Sequence, residues 1–321
     1  MTVSLLDRHG GCVTSVPLPP PKPVGFLLEF DEPSPIKRSA PLLATEVKAS
    51  GQFLDPDHMG KIIKPRELVD IVELTPLTRT EMVLYNQLLA HAWNNITETR
   101  VHIIHKASLR GSHQSNDRLD QAFEALMRAL VKVRARDPET GQMATIRVAL
   151  LGSNKDEDRK EGYFHYTFPP ELLAIISRSN AWATLRSHIM YALRSKYSIR
   201  LYEMVERRIG LMKQHEDFTV DELRALLGVP KKTFPRFADF NKHCLKPALA
   251  EVNQLCDFTV DAMPVKKGRN VEKLCFGWHK KSPERLAAAH DERERSRVGR
   301  KARREGTAEM PADTIKLDDA S

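Results

Sequence analysis

Arg236, Asp239, Lys242, His243 and Lys246 are spaced so that, on a helix, they gather on one side. Advancing about 100 degrees per residue from Arg236, Phe237, Phe240, Cys244, Ala248 and Val252 fall within about 120 degrees of one another as an apolar face. The other side then presents long cationic donors, the groups that reach guanine edges and phosphate oxygens from a DNA major groove. Asp239 is able to accept from a cytosine amino group, but pairing along the helix with Lys242 or His243 is the simpler role. A plain solvated face would show the same spacing. Two flanking segments weigh against that reading: Lys231-Lys232 ahead of the helix, and the turn Lys266-Lys267-Gly268-Arg269-Asn270 behind it. Pro247 lacks an N–H, so it should kink the helix or start a new segment, leaving base reading to the residues before it. Lys196 and Arg200 are weaker DNA candidates. Lys196 has reach for a phosphate, whereas Arg200 has an equal claim to an ion pair with Glu203 or with an acid of a neighbouring domain.

Such a helix needs a rigid seat. Phe218 to Asp221 supplies a short strand and an N-cap, and a short helix over 222–227 stops at Gly228. Behind the reading helix come strands over 258–262 and 271–278, with Leu274, Phe276 and Trp278 alternating toward a core. A helix pair followed by a basic-tipped hairpin is the layout of a winged helix. Upstream, structure begins near Leu68. Thr78 and Glu81 have capping-box spacing, and the helix they open carries Met82, Tyr85, Leu88, Leu89 and Ala92 on one face. A strand over 101–104 follows, then a helix capped by Ser115 or Asn116 with Leu119, Ala122, Phe123, Leu126, Leu130 and Val131 inward. Strands over 145–151 and 162–168 flank a polar loop and read as a second hairpin. That loop, 152–161, has a net charge of −1, so it is not a phosphate-gripping wing. Helical segments are expected between Trp182 and Gly210, with a change of register near Ser195. The predicted class is α+β: two tandem winged-helix domains, 66–192 and 193–281, between an arm, 1–65, and a charged tail, 282–321.

The wording "SKYSIRLYE … FADFNKHCLKPALAEVNQLCDFTV … KKGRNVEKLCFGW" resembles the iteron-binding plasmid replication initiators, over roughly residues 66–281 and most strongly over 194–278. The resemblance implies two winged helices in tandem. It implies a protein that binds directly repeated origin sites (iterons) as a monomer, the second domain reading one end of each repeat and the first touching the other. It further implies origin opening, recruitment of the host replication initiator and replicative helicase, and repression of the chain's own promoter as a dimer in equilibrium with the monomer. Opening by bending is mechanically reasonable, since phosphate contacts can drive DNA deformation. A winged-helix transcriptional repressor without a replication role would share the same DNA-reading surface. Tandem repeats beside the gene, as against a lone inverted repeat over its promoter, separate the two.

The first domain suggests where copies would meet. Ile146, Val148 and Leu150, with Phe164 and Tyr166, give its hairpin a strongly β-forming sequence. An uncovered hairpin edge offers N–H and C=O groups to a second copy, so dimerisation by strand addition is expected there.

Bulk properties agree without deciding. The net charge of +8 suits a polyanionic partner, and residues 198–281 hold 16 Lys/Arg against 11 Asp/Glu. Nine of the 20 prolines lie in residues 1–60, which favours an extended, disordered arm. Residues 282–304 hold eight basic and four acidic residues with little apolar periodicity, which reads as a solvated, fraying tail. Cys12, Cys244, Cys256 and Cys275 form no CxxC pair, consistent with a reducing, cytoplasmic setting. Neither a signal peptide nor an apolar run of roughly 18 residues is expected, and no membrane partner with them. No GxxxxGK[ST] loop suggests nucleotide binding. A nicking initiator would want two histidines one residue apart. His102 and His105 instead fall on opposite faces of a strand. No enzyme activity, cofactor or metal is expected.

Overall fold

The computed structural model describes residues 60–109, 116–137, 140–152, 154–156, 162–230 and 232–307. The first half runs β1 (Lys61–Pro65), α1 (Arg66–Val69), β2 (Val72–Glu73), α2 (Arg79–Ala92), β3 (His102–His105), α3 (Lys106–Leu109), α4 (Asn116–Arg128), β4 (Leu130–Arg136), β5 (Met143–Ala149), β6 (Asn154–Asp156), β7 (Tyr163–Tyr166), α5 (Pro170–Arg178), β8 (Trp182–Arg186) and α6 (Ser187–Ala192). The second runs α7 (Lys196–Glu206), β9 (His215–Thr219), α8 (Val220–Leu226), α9 (Phe237–Phe240), α10 (Lys246–Leu255), β10 (Phe258–Lys267) and β11 (Asn270–Lys280). Two further helices close the described chain, α11 (Pro283–Glu294) and α12 (Arg300–Glu305).

Each half is a winged-helix unit, the two in tandem: helices, then a hairpin, joined by a strand from ahead of the helices. In the second half the sheet order is β10-β11-β9; in the first it is β2-β4-β5. Thr78 caps α2 as its spacing predicts, accepting from the Glu81 N–H while Glu81 accepts from the Thr78 N–H at 2.9 Å. The helix α8 is capped by Thr219 and Glu222 rather than by Asp221.

Several expectations for the first half need correction. Leu130 and Val131 belong to β4, not to the preceding helix, because Val131, Val133 and Ala135 alternate into the core with the two-residue period of a strand. The strands over 145–151 and 162–168 do not pair with each other. β5 pairs with β4, from Leu130 opposite Ala149 to Arg136 opposite Met143, so the first-domain hairpin turns at 137–142. β7 lies between β3 and β6. Residues 61–65, assigned to the arm, form β1 and pair with β8, which itself replaces the helix expected at 182–186. The remainder of the Pro-rich arm, the tip of the 152–161 loop and the chain beyond 307 lie outside the described residues.

The helix α7 is the common wall of the two halves, with every residue from Ser198 to Val205 buried. It packs on α2 and β8 on one side and on α10 on the other, and the Tyr202 ring stacks on Phe258. A buried polar cluster crosses this wall. Lys64 pairs with Glu203 at 2.9 Å and donates to Asn86 Oδ1 at 3.1 Å, while the Asn86 amide donates to Glu203 Oε1 at 2.7 Å. Arg200 donates through Nε and Nη2 to Glu73 Oε1, at 3.1 and 2.7 Å, and lies 3.7 Å from Glu203. Burial pulls the Lys64 ammonium below its ordinary range, against the opposing effect of Glu203. Gly228 fits this joint for two reasons. Its φ is +65°, and a Cβ there would stand 2.6 Å from Glu73 Oε1.

Residues 282–304 are not a loose tail. Arg293 donates to the Leu255 carbonyl at 2.6 Å and pairs with Asp257 at 3.1 Å. Arg300 is buried, donating to the Ala192 carbonyl at 3.1 Å and the Glu292 carbonyl at 3.1 Å. Arg303 pairs with Glu292 at 2.8 Å. The arginines that look solvated in the sequence cap carbonyls at the ends of α6 and α10, and so clasp the second half onto the joint.

Candidate nucleic-acid interface

The reading segment spans residues 237–255 and contains a π-helical turn, Asn241–Leu245, between α9 and α10. Pro247 sits in the first turn of α10, where its missing N–H costs little, so a new segment begins where the proline demands one. Phe240, Cys244, Ala248 and Val252 are buried and Phe237 is packed against the core, as the spacing predicts; Leu245 joins them. Burial pushes the Cys244 thiol up to about 12, the behaviour of a core group.

The outward row is exposed at Arg236, Lys242, His243 and Lys246. Arg236, 80% exposed, forms two hydrogen bonds to Asp239, at 2.7 and 3.3 Å. Asp239 therefore pairs with Arg236 rather than with Lys242 or His243. Among the described residues no carboxylate lies within ion-pair distance of Lys242 or Lys246. The His243 ring stacks on Phe234 at 5.6 Å, leaving one face and its edge to solvent.

Arg224 was not singled out by the sequence, yet it fixes this end of the helix. Its guanidinium donates to the Phe234 and Pro235 carbonyls at 2.9 and 3.0 Å and lies over the Phe240 ring. The turn it holds places Lys232 and Phe234 at φ 74° and 54°, a left-handed backbone that non-glycine residues seldom take. Lys232 is exposed beside the helix start; Lys231 lies outside the described residues.

The wing is β10 and β11, paired from Phe258 opposite Lys280 to Lys267 opposite Asn270 with a shift of register between Val265 and Lys266, and with Gly268 at φ +64° in the turn. Leu274, Phe276 and Trp278 face the core. β9 covers β11 only between Lys273 and Gly277, so the ribbon beyond is two-stranded and projects about 10 Å from the sheet. Lys266, Lys267, Arg269 and Asn270 are all exposed at its tip, with Lys267 3.6 Å from Glu272.

Lys196 and Arg200 are placed otherwise. Lys196 donates to the Leu77 and Gly228 carbonyls at 3.1 and 2.9 Å, and Arg200 is buried against Glu73. Their charges are turned into the joint between the two halves, apart from the exposed cationic row. Arg200 takes both roles open to it as an ion pair, with Glu203 and with an acid of the other half.

His102 and His105 do face opposite sides of β3, His102 buried and His105 half-buried. Among the described residues no group of three or more His, Cys, Asp or Glu is placed to hold a metal ion. Nor is any described helix long and apolar enough to cross a membrane.

Residues 61–206 match the family model described as "Initiator Replication protein, WH1", and residues 219–278 the one described as "Initiator Rep protein, WH2". Together they take up well over half of the chain. The chain belongs to the initiator Rep family. Its first-domain model includes α7, which the sequence reading had given to the second domain. The initiator Rep chain is 28% identical to the PI protein of Escherichia coli over 132 residues, 36% of this chain and 43% of that protein, so the match spans under half of the relative's length. It is also similar in fold to a solved structure described as "Crystal structure of Pi initiator protein in complex with iteron DNA". That likeness has a TM-score of 0.50 at 17% identity and covers 70% of this chain and 98% of the other. The segment 282–307 lies beyond both family models.

Proposed function

We propose that this initiator Rep protein binds directly repeated sites at a plasmid replication origin, bends and opens the DNA there, and recruits the host replication initiator and helicase, without catalysis of its own. The observation that carries the reading is the exposed cationic row Arg236, Lys242, His243 and Lys246 on a helix seated in a rigid core, flanked by exposed Lys232 and the projecting Lys266–Asn270 tip. The row reads bases in the major groove, and the wing and turn hold phosphates. The solved structure of similar fold is a complex with iteron DNA, which supports repeated sites over a lone promoter element.

Footprinting on the DNA upstream of the gene tests this directly: protection should recur at a fixed spacing over tandem repeats. Arg236→Ala is expected to weaken binding to that site by roughly ten- to a hundredfold, the cost of one good base contact, while binding to scrambled DNA holds. Equal losses on both would assign Arg236 to a phosphate instead.

Repression of its own promoter as a dimer belongs to the same proposal. The dimer surface is narrower than the sequence suggested. Phe164 and Tyr166 are buried on β7, whose two edges are both paired, so they cannot serve strand addition. The side chains of Val148 and Leu150 are likewise core. β5, however, pairs with β4 on one edge only. Leu150 N–H donates toward β4, to Ala129, and the alternation of an antiparallel ladder turns the N–H groups of Thr145, Arg147 and Ala149 to the open edge. Ala149→Pro removes one outward donor and is expected to shift sedimentation from dimer to monomer with operator-length DNA still bound. A dimer of unchanged strength would exclude this edge.

A further inference from the structure

We infer that the groove between α12 and the start of α10 is an additional seat for the DNA phosphate backbone. The inference rests on the DNA-binding reading above, which it extends to a segment beyond both family models. The groove, of about 270 Å³, is lined by Arg194, Ser195, Pro247, Lys301 and Arg304, over a floor of Glu251 and Arg300. Pro247 follows Lys246 directly, so the groove opens where the outward cationic row of the reading segment ends.

Its charge is net positive, with Arg194, Lys301 and Arg304 set against one floor carboxylate, Glu251. Both Glu251 oxygens are taken up by the N–H groups of Arg194 and Ser195, at 2.9 and 3.3 Å. Arg300 is occupied with the Ala192 and Glu292 carbonyls. Arg194 is exposed, and no carboxylate pairs with it or with Arg304 among the described residues. Lys301, 77% exposed, has only Glu305 at 3.9 Å. Three cationic side chains thus converge on one channel against two acids, Glu251 in its floor and Glu305 at 3.9 Å from Lys301.

The cluster is also held rigid. The clasp through Arg300, Arg303 and Glu292 anchors α12 to α6 and α11, while Lys301 and Arg304 take no part in it. Burying three arginine contacts to present a short basic helix beside the reading segment makes physical sense if the exposed cations have a polyanion to meet. A helix lying in the major groove, about 12 Å wide, has a phosphate row along each flank. Cations fixed at its C-terminal limit are placed to grip one of those rows without reading sequence.

The test uses the full-length protein with Lys301→Ala and Arg304→Ala together. Affinity is measured across a salt series on a fluorescent duplex from the protein's own upstream DNA and on a scrambled duplex of equal length. Loss of two phosphate contacts should reduce the slope of log affinity against log salt by about 1.8 on both duplexes, leaving the preference between them unchanged. The charge-keeping pair Lys301→Arg with Arg304→Lys should retain the parental slope, which separates loss of charge from loss of fold. A parental slope in the double alanine variant, or a fall in slope that the charge-keeping pair shares, overturns the proposal. The parent's own discrimination between the two duplexes reports on the proposed function independently, so the two ideas fail separately.

Discussion

Glu203→Ala is expected to cost about 3–5 kcal/mol of unfolding free energy at neutral pH, the usual loss when one partner leaves a buried ion pair. The carboxylate is fully buried and accepts from Lys64 and Asn86, both of the first half, with Arg200 at 3.7 Å. Its removal leaves the Lys64 ammonium, itself buried, with only the Asn86 carbonyl as a hydrogen-bond acceptor. Arg200 keeps Glu73 and suffers less. Lysine can escape by losing its proton, which arginine cannot. The unfolded chain then binds more protons than the folded one, so stability rises with pH and the deficit should narrow as pH climbs toward lysine's ordinary range. Chemical denaturation at two pH values measures both effects. A loss below about 1 kcal/mol, or one that does not depend on pH, would mean that water reaches the cluster.

The second large effect is expected at Phe240→Ala. The ring is fully buried, lies against Phe237 with centroids 6.3 Å apart, and carries the Arg224 guanidinium over its face at 5.4 Å. Truncating a core phenylalanine costs about 3–5 kcal/mol through lost transfer energy and the cavity left behind. Here the cavity also undermines the helix start that carries Arg236 and the turn that Arg224 pins. The midpoint of thermal unfolding should fall by roughly 6–20 °C if the two halves unfold as one unit of about 150–250 residues. At a temperature where the variant is still folded, affinity for scrambled and specific DNA should fall together, because the whole row loses its seat. A variant as stable as the parent with selective loss on specific DNA would move Phe240 from the core to the interface.

The reading helix was legible because its seat is local. Four-residue spacing of Phe240, Cys244, Ala248 and Val252 states which side is inward, and Pro247 states where the segment breaks. The alternation of Leu274, Phe276 and Trp278 did the same for the wing. Strand pairing was less legible, because alternation shows that a strand exists but not its partner. β5 and β7 both read as strands, yet the partner of β5 is the β4 strand just before it and that of β7 lies about 60 residues back on β3. The arginines of 282–304 misled for a related reason. A cation that caps a distant carbonyl has the same sequence as one in water, and only the fold says which carbonyls are left over. Lys196 and Arg200 stood in a basic motif and looked like DNA contacts. The acid that claims them, Glu73, is more than 120 residues away.

The carbonyls of Tyr191, Ala192 and Leu193 are held from both directions along the chain. Arg79, 112 and 114 positions earlier, takes the first and third; Arg300, 108 positions later, takes the second. During synthesis the earlier bond can form as soon as α6 has emerged, while the later one must wait until α12 has followed it. A nascent chain that has not yet reached α12 therefore carries both winged helices with their connecting strap fastened on one side only. Emergence of α12 is the event that closes the second fastening.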